Sequence, residues 1–434
     1  MKSLKQHVPD WLKRAYHRAR GFIAAFQYGF PAEKMIIVGI TGTKGKTSTA
    51  NYTWSVLSAG GYKAGLISSA NFRIDTVEEP NPYHMTMPDP FLIQRKMREM
   101  LDANISVVCM EMTSEGMKQY RHSGIPVDIA VFTNLTPEHL SSHGNSFEEY
   151  KLAKVPLFRD ALNHPHKIIG GKVIPRVIIA NADSEHSELY LSFPADQKIT
   201  YGISSGEIRA TAIIEEKTGT RFVVSGEKMH LAIPGLFNVY NALPACVVGT
   251  VLGVSVKDIK LGLDQLAVIP GRMELVDGGQ PFTVIIDYAH EPAGMEALLT
   301  STRKLCGPNG KVILLTGVIG GGRESRKPLI RVATQKADVL VITNEDPYDD
   351  DPEKMISELV ATALNEGMLL EQNLFETIDR KEAIMIALRH AQAGDVVIIS
   401  GKGAEQTMMT ATGAVPWDER AIVRQSVQEY LQTN

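Results

Sequence analysis

Lys46 and Thr47 are the first residues of the chain whose types and spacing could do chemistry. They close the loop Thr41-Gly42-Thr43-Lys44-Gly45-Lys46-Thr47, which follows the apolar run 35–40 and leads into a helix-compatible segment ended by Gly60-Gly61. Small residues in such a loop let backbone N–H groups crowd an anion. Lys46 adds positive charge, Thr47 a hydroxyl for Mg²⁺, and the helix turns its positive end toward the same point. Thr43, Lys44, Gly45, Lys46, Thr47 and Ser48 therefore read as a phosphate-binding loop. The general pattern wants glycine where this chain has Ile40, so the match is to the shorter form Gly-Thr-x-Gly-Lys-[Ser/Thr]. The competing reading is a Gly-rich strand-to-helix turn with a chance lysine, and it leaves Gly-Lys-Thr without a purpose.

Four further sets of polar residues stand just after apolar runs, where ligands gather in an open parallel sheet. They begin at Glu111, Thr133, Asp287 and Gly401, and they include Ser114, His139 and Glu405. Glu111 and His139 could bring a carboxylate and an imidazole to metal ions beside the phosphate loop. Taken singly, the first reads as a helix cap and the second as a surface histidine. Lys154, by itself, reads as part of the solvated face of an amphipathic helix.

Strands and helices must hold these groups. Short apolar runs at 105–110, 129–132, 177–180 and 198–201 alternate with helical stretches, which predicts a mostly parallel central sheet covered by helices. Residues 207–233 switch to period-two runs across Thr218-Gly219, predicting a β-ribbon appended to that sheet. A second alternating series begins near Pro270, with strands at 282–286, 312–315, 339–342 and 396–399, and predicts a smaller, Rossmann-like α/β domain. The expected fold class is thus α/β, with a phosphate-loop domain over 35–268 and a C-terminal domain over 269–434. In residues 1–34, Trp11, Leu12, Ala15, Tyr16, Phe22, Ile23 and Phe26 recur at helical spacing beside Lys13, Arg14, His17, Arg18 and Arg20. This basic amphipathic arm reads either as packed on the next domain or as contacting a membrane surface or a partner.

Composition narrows the classes. At 434 residues, 44% hydrophobic and 22% charged, the chain should form two or three globular domains. A net charge of -4 gives no footprint for nucleic acid, and three cysteines without metal-ligand spacing argue for a reducing compartment. No apolar run is long enough to span a bilayer, and the N-terminus lacks the pattern of a signal peptide. A cytoplasmic monomer is expected.

As a set, the motifs resemble the Mur ligase family of ATP-dependent amino-acid ligases, closest to its muramoyl-tripeptide synthetase branch. The likeness runs from about Met35 to Tyr430. It rests on Thr41 through Thr47, Thr86-Met87-Pro88, Glu111 with Ser114, Thr133-Asn134-Leu135, Glu138-His139-Leu140, His143-Gly144, and Ala153-Lys154 with Leu157-Phe158. It continues through Gly235, Asn238 and Asn241, Pro270-Gly271-Arg272-Met273-Glu274, Asp287-Tyr288-Ala289-His290, Gly401-Lys402-Gly403 with Glu405, and Asp418-Glu419-Arg420.

The resemblance implies that Lys46 and Thr47 hold ATP phosphates and a first Mg²⁺, and that Glu111 and His139 bind a second. Lys154 matches a lysine that the family carbamylates, placing a carboxylate-like group near that metal. Asn238, Arg272 and Asp287 match nucleotide-contacting positions, and Ser114, Asp346, Tyr348 and Glu405 fall where acceptor and amino acid are expected. The family's Asp-Asn-Pro-Arg, associated with diaminopimelate selection, is replaced by Glu345-Asp346-Pro347-Tyr348, and Asp349, Asp350 and Asp351 add negative charge. Lysine is therefore expected over diaminopimelate. Only about 34 residues precede the phosphate-loop strand, where relatives carry a domain for the UDP end of the substrate, so Arg14, Arg18 or Arg20 of the arm is expected beside an anionic acceptor. The resulting function is ligation of an amino acid to a cell-wall precursor peptide. Ligation of folylpolyglutamate, polyglutamate or cyanophycin type, and a nucleotide-binding module without ligation, stay open as alternatives.

Overall fold

The computed structural model describes residues 9–83, 85–138, 140–317, 319–321 and 325–433. The chain begins with α1 (Asp10–Gln27) and enters the sheet at β1 (Ile36–Thr41), which is buried along its whole length. Its β-branched residues suit a strand with neighbours on both sides and helices on both faces. The loop after β1 opens α2 (Lys46–Ala59), which is followed by β2 (Ala64–Ile67) and the hairpin of β3 (Asn71–Ile74) and β4 (Val77–Pro80). Next come α3 (Pro90–Asp102), capped by Asp89, then β5 (Val107–Glu111), α4 (Ser114–Lys118), β6 (Ile129–Phe132) and α5 (Phe147–Leu152). A small hairpin, β7 (Ile168–Ile169) and β8 (Lys172–Val173), precedes β9 (Val177–Asn181), α6 (Ser187–Leu191) and β10 (Gln197–Gly202). The expected ribbon is present as β11 (Ile208–Glu216), β12 (Gly219–Val224) and β13 (Glu227–Leu231), before α7 (Leu236–Val251) and α8 (Val256–Gln265).

β7 and β8 pair with each other, and the other eleven strands form one sheet in the order β13-β12-β11-β10-β9-β6-β1-β5-β2-β3-β4. From β11 through β2 the pairs are parallel, and the two antiparallel flanks are the ribbon and the β3/β4 hairpin. One face is sealed by α2, α7 and α8, where the Ser55 hydroxyl donates to Gly262 O at 2.6 Å. The absent side chain of Gly262 lets the helix reach the α2 backbone.

The second sheet begins with β14 (Glu274–Val276) and β15 (Thr283–Asp287), followed by α9 (Pro292–Arg303), β16 (Val312–Thr316), α10 (Arg326–Lys336) and β17 (Val339–Thr343). It continues through α11 (Pro352–Asn365), β18 (Leu374–Thr377), α12 (Arg380–Arg389) and β19 (Val396–Ser400). A hairpin of β20 (Thr407–Thr410) and β21 (Gly413–Pro416) leads to α13 (Glu419–Thr433). The order β14-β15-β19-β16-β17-β18 is parallel except at β14. The result is mixed α/β architecture: a large, mostly parallel sheet and a separate C-terminal α/β unit.

Candidate active site

A cavity of about 1020 Å³ is lined by both units, and the carboxyl ends of β1, β5, β6, β9 and β15 all point toward it. Its floor is the loop between β1 and α2. Gly45 begins α2 at φ 82°, and a Cβ there would strike the Asn241 side chain, so both conformation and space require glycine. No side chain caps α2. Its first-turn amides therefore face the cavity as an anion site with the helix dipole behind them.

Three neighbours fix the loop. The Asn134 carboxamide accepts from Lys44 N at 2.9 Å and donates to Lys44 O at 3.1 Å, while the Thr133 hydroxyl donates to Lys44 O at 2.7 Å. Asn181 in turn donates to Thr133 O at 2.8 Å. The Lys44 ammonium lies 2.8 Å from Glu138 Oε2.

Hard oxygens gather at the head of α2. Thr47 Oγ1 donates to Glu111 Oε2 at 3.0 Å and lies 2.8 Å from Ser69 Oγ, while Ser69 N donates to the same carboxylate oxygen at 3.0 Å. Lys46 Nζ donates to Thr43 O at 2.9 Å and stands 3.8 Å from Glu111 Oε1. Burial pulls the Lys46 ammonium below its usual range, with Glu111 opposing. From the second unit, Arg272 Nη2 reaches Ser69 Oγ at 3.2 Å and Thr47 Oγ1 at 3.4 Å. Its guanidinium lies over the Tyr288 ring, 4.3 Å from the centroid. Asp287 accepts from Met273 N and Ala289 N, both at 2.8 Å, and so sets the path of the chain around Arg272.

Lys154 is not on a solvated face. It is 1% exposed, its ammonium donates to Gly42 O at 3.0 Å, and it lies 4.2 Å from the Tyr150 centroid. Burial first, and the Lys46 charge second, push its pKa well below the usual lysine value.

At the far end, Glu405 receives a hydrogen bond from the Tyr288 hydroxyl at 3.1 Å and an ion pair from Lys402, which also bonds Asp346 at 2.8 and 2.9 Å. Ser114, Tyr348 and Glu405 line the cavity, as do Thr43 through Ser48, Glu111, Lys154, Arg272 and Asp287. Asp346 and Asn238 stand behind the wall. Asp346 holds Lys402 and accepts from Met409 N, and Asn238 accepts from Asn241, which does face the cavity. Asp350 pairs with Arg326 at 2.6 Å and Asp351 caps α11, so these two carboxylates serve local structure and do not charge an amine pocket as expected. His139 lies outside the described residues.

Sequence reasoning assigned no role to Ser69, Tyr150, Asn181, Asp183 or Tyr240. Asp183 accepts from three consecutive amides, Ile203 N, Ser204 N and Ser205 N, at 2.7 to 3.0 Å and from the Tyr240 hydroxyl at 2.9 Å. Burial works against its charge, but these bonds outweigh it and hold the carboxyl at about 2. Asn181 and Asp183 follow an apolar run, the same signal that singled out Glu111.

The chain matches the Mur ligase middle domain over residues 40–249 and the Mur ligase, glutamate ligase domain over residues 271–403. It is 34% identical to the UDP-N-acetylmuramoyl-L-alanyl-D-glutamate--2,6-diaminopimelate ligase of Geobacillus kaustophilus, over 98% of this chain and 86% of that protein. It is also 34% identical to the UDP-N-acetylmuramyl-tripeptide synthetase of a Roseiflexus species, over 94% and 81%. Among solved structures, the Mycobacterium tuberculosis folylpolyglutamate synthase has the same fold, with a TM-score of 0.70 at 17% identity over 88% of this chain and 92% of that one.

Proposed function

The chain belongs to the Mur ligase family and is an ATP-dependent amide-forming ligase; on that premise we propose that it joins an amino acid to the terminal carboxylate of a UDP-N-acetylmuramoyl-peptide acceptor. The observation that carries this reading is the meeting of Thr47, Ser69 and Glu111 from the first unit with Arg272 from the second, inside one cavity of about 1020 Å³. The division into an arm (1–34), a nucleotide domain (35–268) and a C-terminal domain (269–434) is part of the proposal. It is supported by the end of α8 at Gln265 and the start of β14 at Glu274.

Amide formation in water needs the carboxylate oxygen turned into a leaving group, which transfer of the ATP γ-phosphate achieves by giving an acyl phosphate. The amine then attacks and phosphate departs. Phosphoryl transfer requires mainly positioning and neutralisation of charge. The α2 amides and Lys46 orient the phosphates, and Arg272 neutralises charge from the opposite side. The uncapped helix and the hard oxygens of Thr47 and Glu111 fit a nucleotide with Mg²⁺, which would supply further positive charge when bound. Lys154, with its amine favoured neutral by burial, suits carbamylation; together with Glu111 and His139 it would hold a second ion. Glu405, braced by Lys402 and Tyr288, would receive the incoming amine, with Tyr348 beside it. A cytoplasmic monomer suits these small substrates.

The test is ADP release by the purified chain with ATP and Mg²⁺, and mass spectrometry of the products. Sustained ADP release should require both acceptor peptide and amino acid. ATP turnover that ignores the acceptor sinks the ligase reading, and ligation only to a folate or polyglutamate acceptor sinks the choice of acceptor. Direct competition between lysine and diaminopimelate then decides the amino acid.

A further inference from the structure

α1 packs against the body through small residues of its C-terminal half and turns its large side chains outward. Gly21, Ala24 and Ala25 are buried against the body, and a Cβ on Gly21 would collide with Ser123 and Tyr120. His17 and Arg20 border a small cavity beside Asp89 and Arg121, and Arg20 pairs with Asp89. The opposite side carries Trp11 (70% exposed), Tyr16 (60%), Phe22 (57%), Ile23 (55%) and Phe26 (71%), with Leu12 among them. At 3.6 residues per turn these side chains fall within an arc of about 140°. Ordinary packing would bury such residues and expose the alanines.

Charge says what covers the arc. Arg14 and Arg18 run along one border and Lys13 along the other, and residues 11–27 contain no Asp or Glu. Residues 1–34 hold seven Lys and Arg against two Asp and Glu, a net +5 in a chain whose total is -4. A second copy of the same face would bring these positive borders together in a two-fold pair, which repels. A surface of anionic lipid answers both the apolar arc and its basic rims, with Trp11 and Tyr16 suited to the headgroup level. No helix among the described residues is long and apolar enough to cross a membrane, so α1 would lie along the surface.

We propose that α1 is a surface-binding helix that lays its Trp11, Phe22 and Phe26 face into the headgroup boundary of an anionic bilayer. The helix borders the wall residues Met85 and Arg121, which line both the small cavity and the large one, so binding would hold one end of the active-site cavity close to the lipid.

The experiment is flotation of the full chain with vesicles of phosphatidylcholine alone or with 30% phosphatidylglycerol. Expected results are at least tenfold tighter binding to the anionic vesicles and at least a fivefold loss between about 0.1 and 0.5 M salt. Brominated lipid should quench a fluorescence component that is absent in Trp11→Phe. The double variant Phe22→Asp/Phe26→Asp should lose at least tenfold in vesicle binding while its ADP release with soluble substrates stays unchanged, since both side chains are mostly exposed and their ring contacts are with Phe30, outside the cavity. Equal binding to both vesicle types overturns the proposal, as does a double variant that binds as well as the parent. A dimer in sedimentation velocity that the double variant dissolves, with no vesicle binding, gives the face to a second copy and also overturns it. The ADP assay is independent of the vesicle assay, so failure of one does not imply failure of the other.

Discussion

Lys154 shows how burial changes what a residue can do. A lysine on the surface is a hydrated cation; here the ammonium has one backbone carbonyl, an aromatic face and Lys46 nearby, and the protein disfavours its charge. Lys154→Ala is expected to lower ADP release by roughly 10²-fold or more. If the working form is a carbamate, acetate or formate should restore part of the loss. A variant with near-normal ADP release removes Lys154 from the machinery. Glu345 offers a pH test. It is fully buried beside Asp346, burial raises its pKa to about 8, and Arg380 opposes the shift. The folded state therefore keeps a proton that the unfolded chain releases near the ordinary glutamate pKa. Stability contributed this way is fully present below the ordinary glutamate pKa and is lost progressively as pH rises from there through about 8. Glu345→Gln, which cannot ionise, should flatten that decline and exceed the parent in stability by about 1 kcal/mol or more above pH 8. Parallel denaturation curves for the two proteins between pH 5 and 9 would refute it.

Among the elements, the C-terminal unit is tied together by an ion pair with almost no solvent access. The Arg380 guanidinium, at the start of α12, contacts Glu419 at the start of α13, and it also donates to Ser400 O at 2.7 Å and Asn344 O at 3.1 Å. It thus links two helices to the carboxyl ends of β17 and β19, the side on which Lys402 and Glu405 stand. Side-chain exposure is 1% and 0% for the pair, so removing one partner strands a buried charge. Glu419→Ala should cost about 3–5 kcal/mol by chemical denaturation. A loss under about 1 kcal/mol would mean that water replaces the carboxylate. Arg420 and Arg424 of α13 clasp Glu274, which also accepts from Gly271 N at 2.8 Å, so the last helix fixes the segment that carries Arg272.

For the whole molecule, the decisive contact is between the two units. Arg272→Ala should leave the melting temperature of the ligand-free chain nearly unchanged, because its partners Ser69 and Thr47 line the cavity and keep their hydrogen bonds to Glu111, yet it should abolish ADP release and shrink the stabilisation given by saturating ATP. With wild-type chain that stabilisation is about 2.7 kcal/mol at one hundred times the dissociation constant; an equal shift in the variant would show that Arg272 does not meet the nucleotide. The local sequence determined much of this arrangement. The phosphate loop, the strands and the antiparallel ribbon were legible because each depends on neighbours in the chain: apolar runs of strand length, glycines where φ is positive, and period-two alternation. Helix α2 begins at Lys46, where Gly-Lys-Thr pointed. The sequence also carried the set of strand-end polar residues, since a sheet exposes the same end of every parallel strand. What it could not carry was depth and juxtaposition. Lys154 reads as a surface residue until Tyr150 and Gly42 enclose it, and Asp346 reads as a cavity residue until Lys402 takes its carboxylate. The two aspartates Asp350 and Asp351 likewise read as a free acidic cluster before Arg326 and the amides of α11 claim them. Only the tertiary structure could decide these, because burial, ion pairing and the distance from Arg272 to Thr47 arise between segments far apart in the chain, where no periodicity or spacing records them.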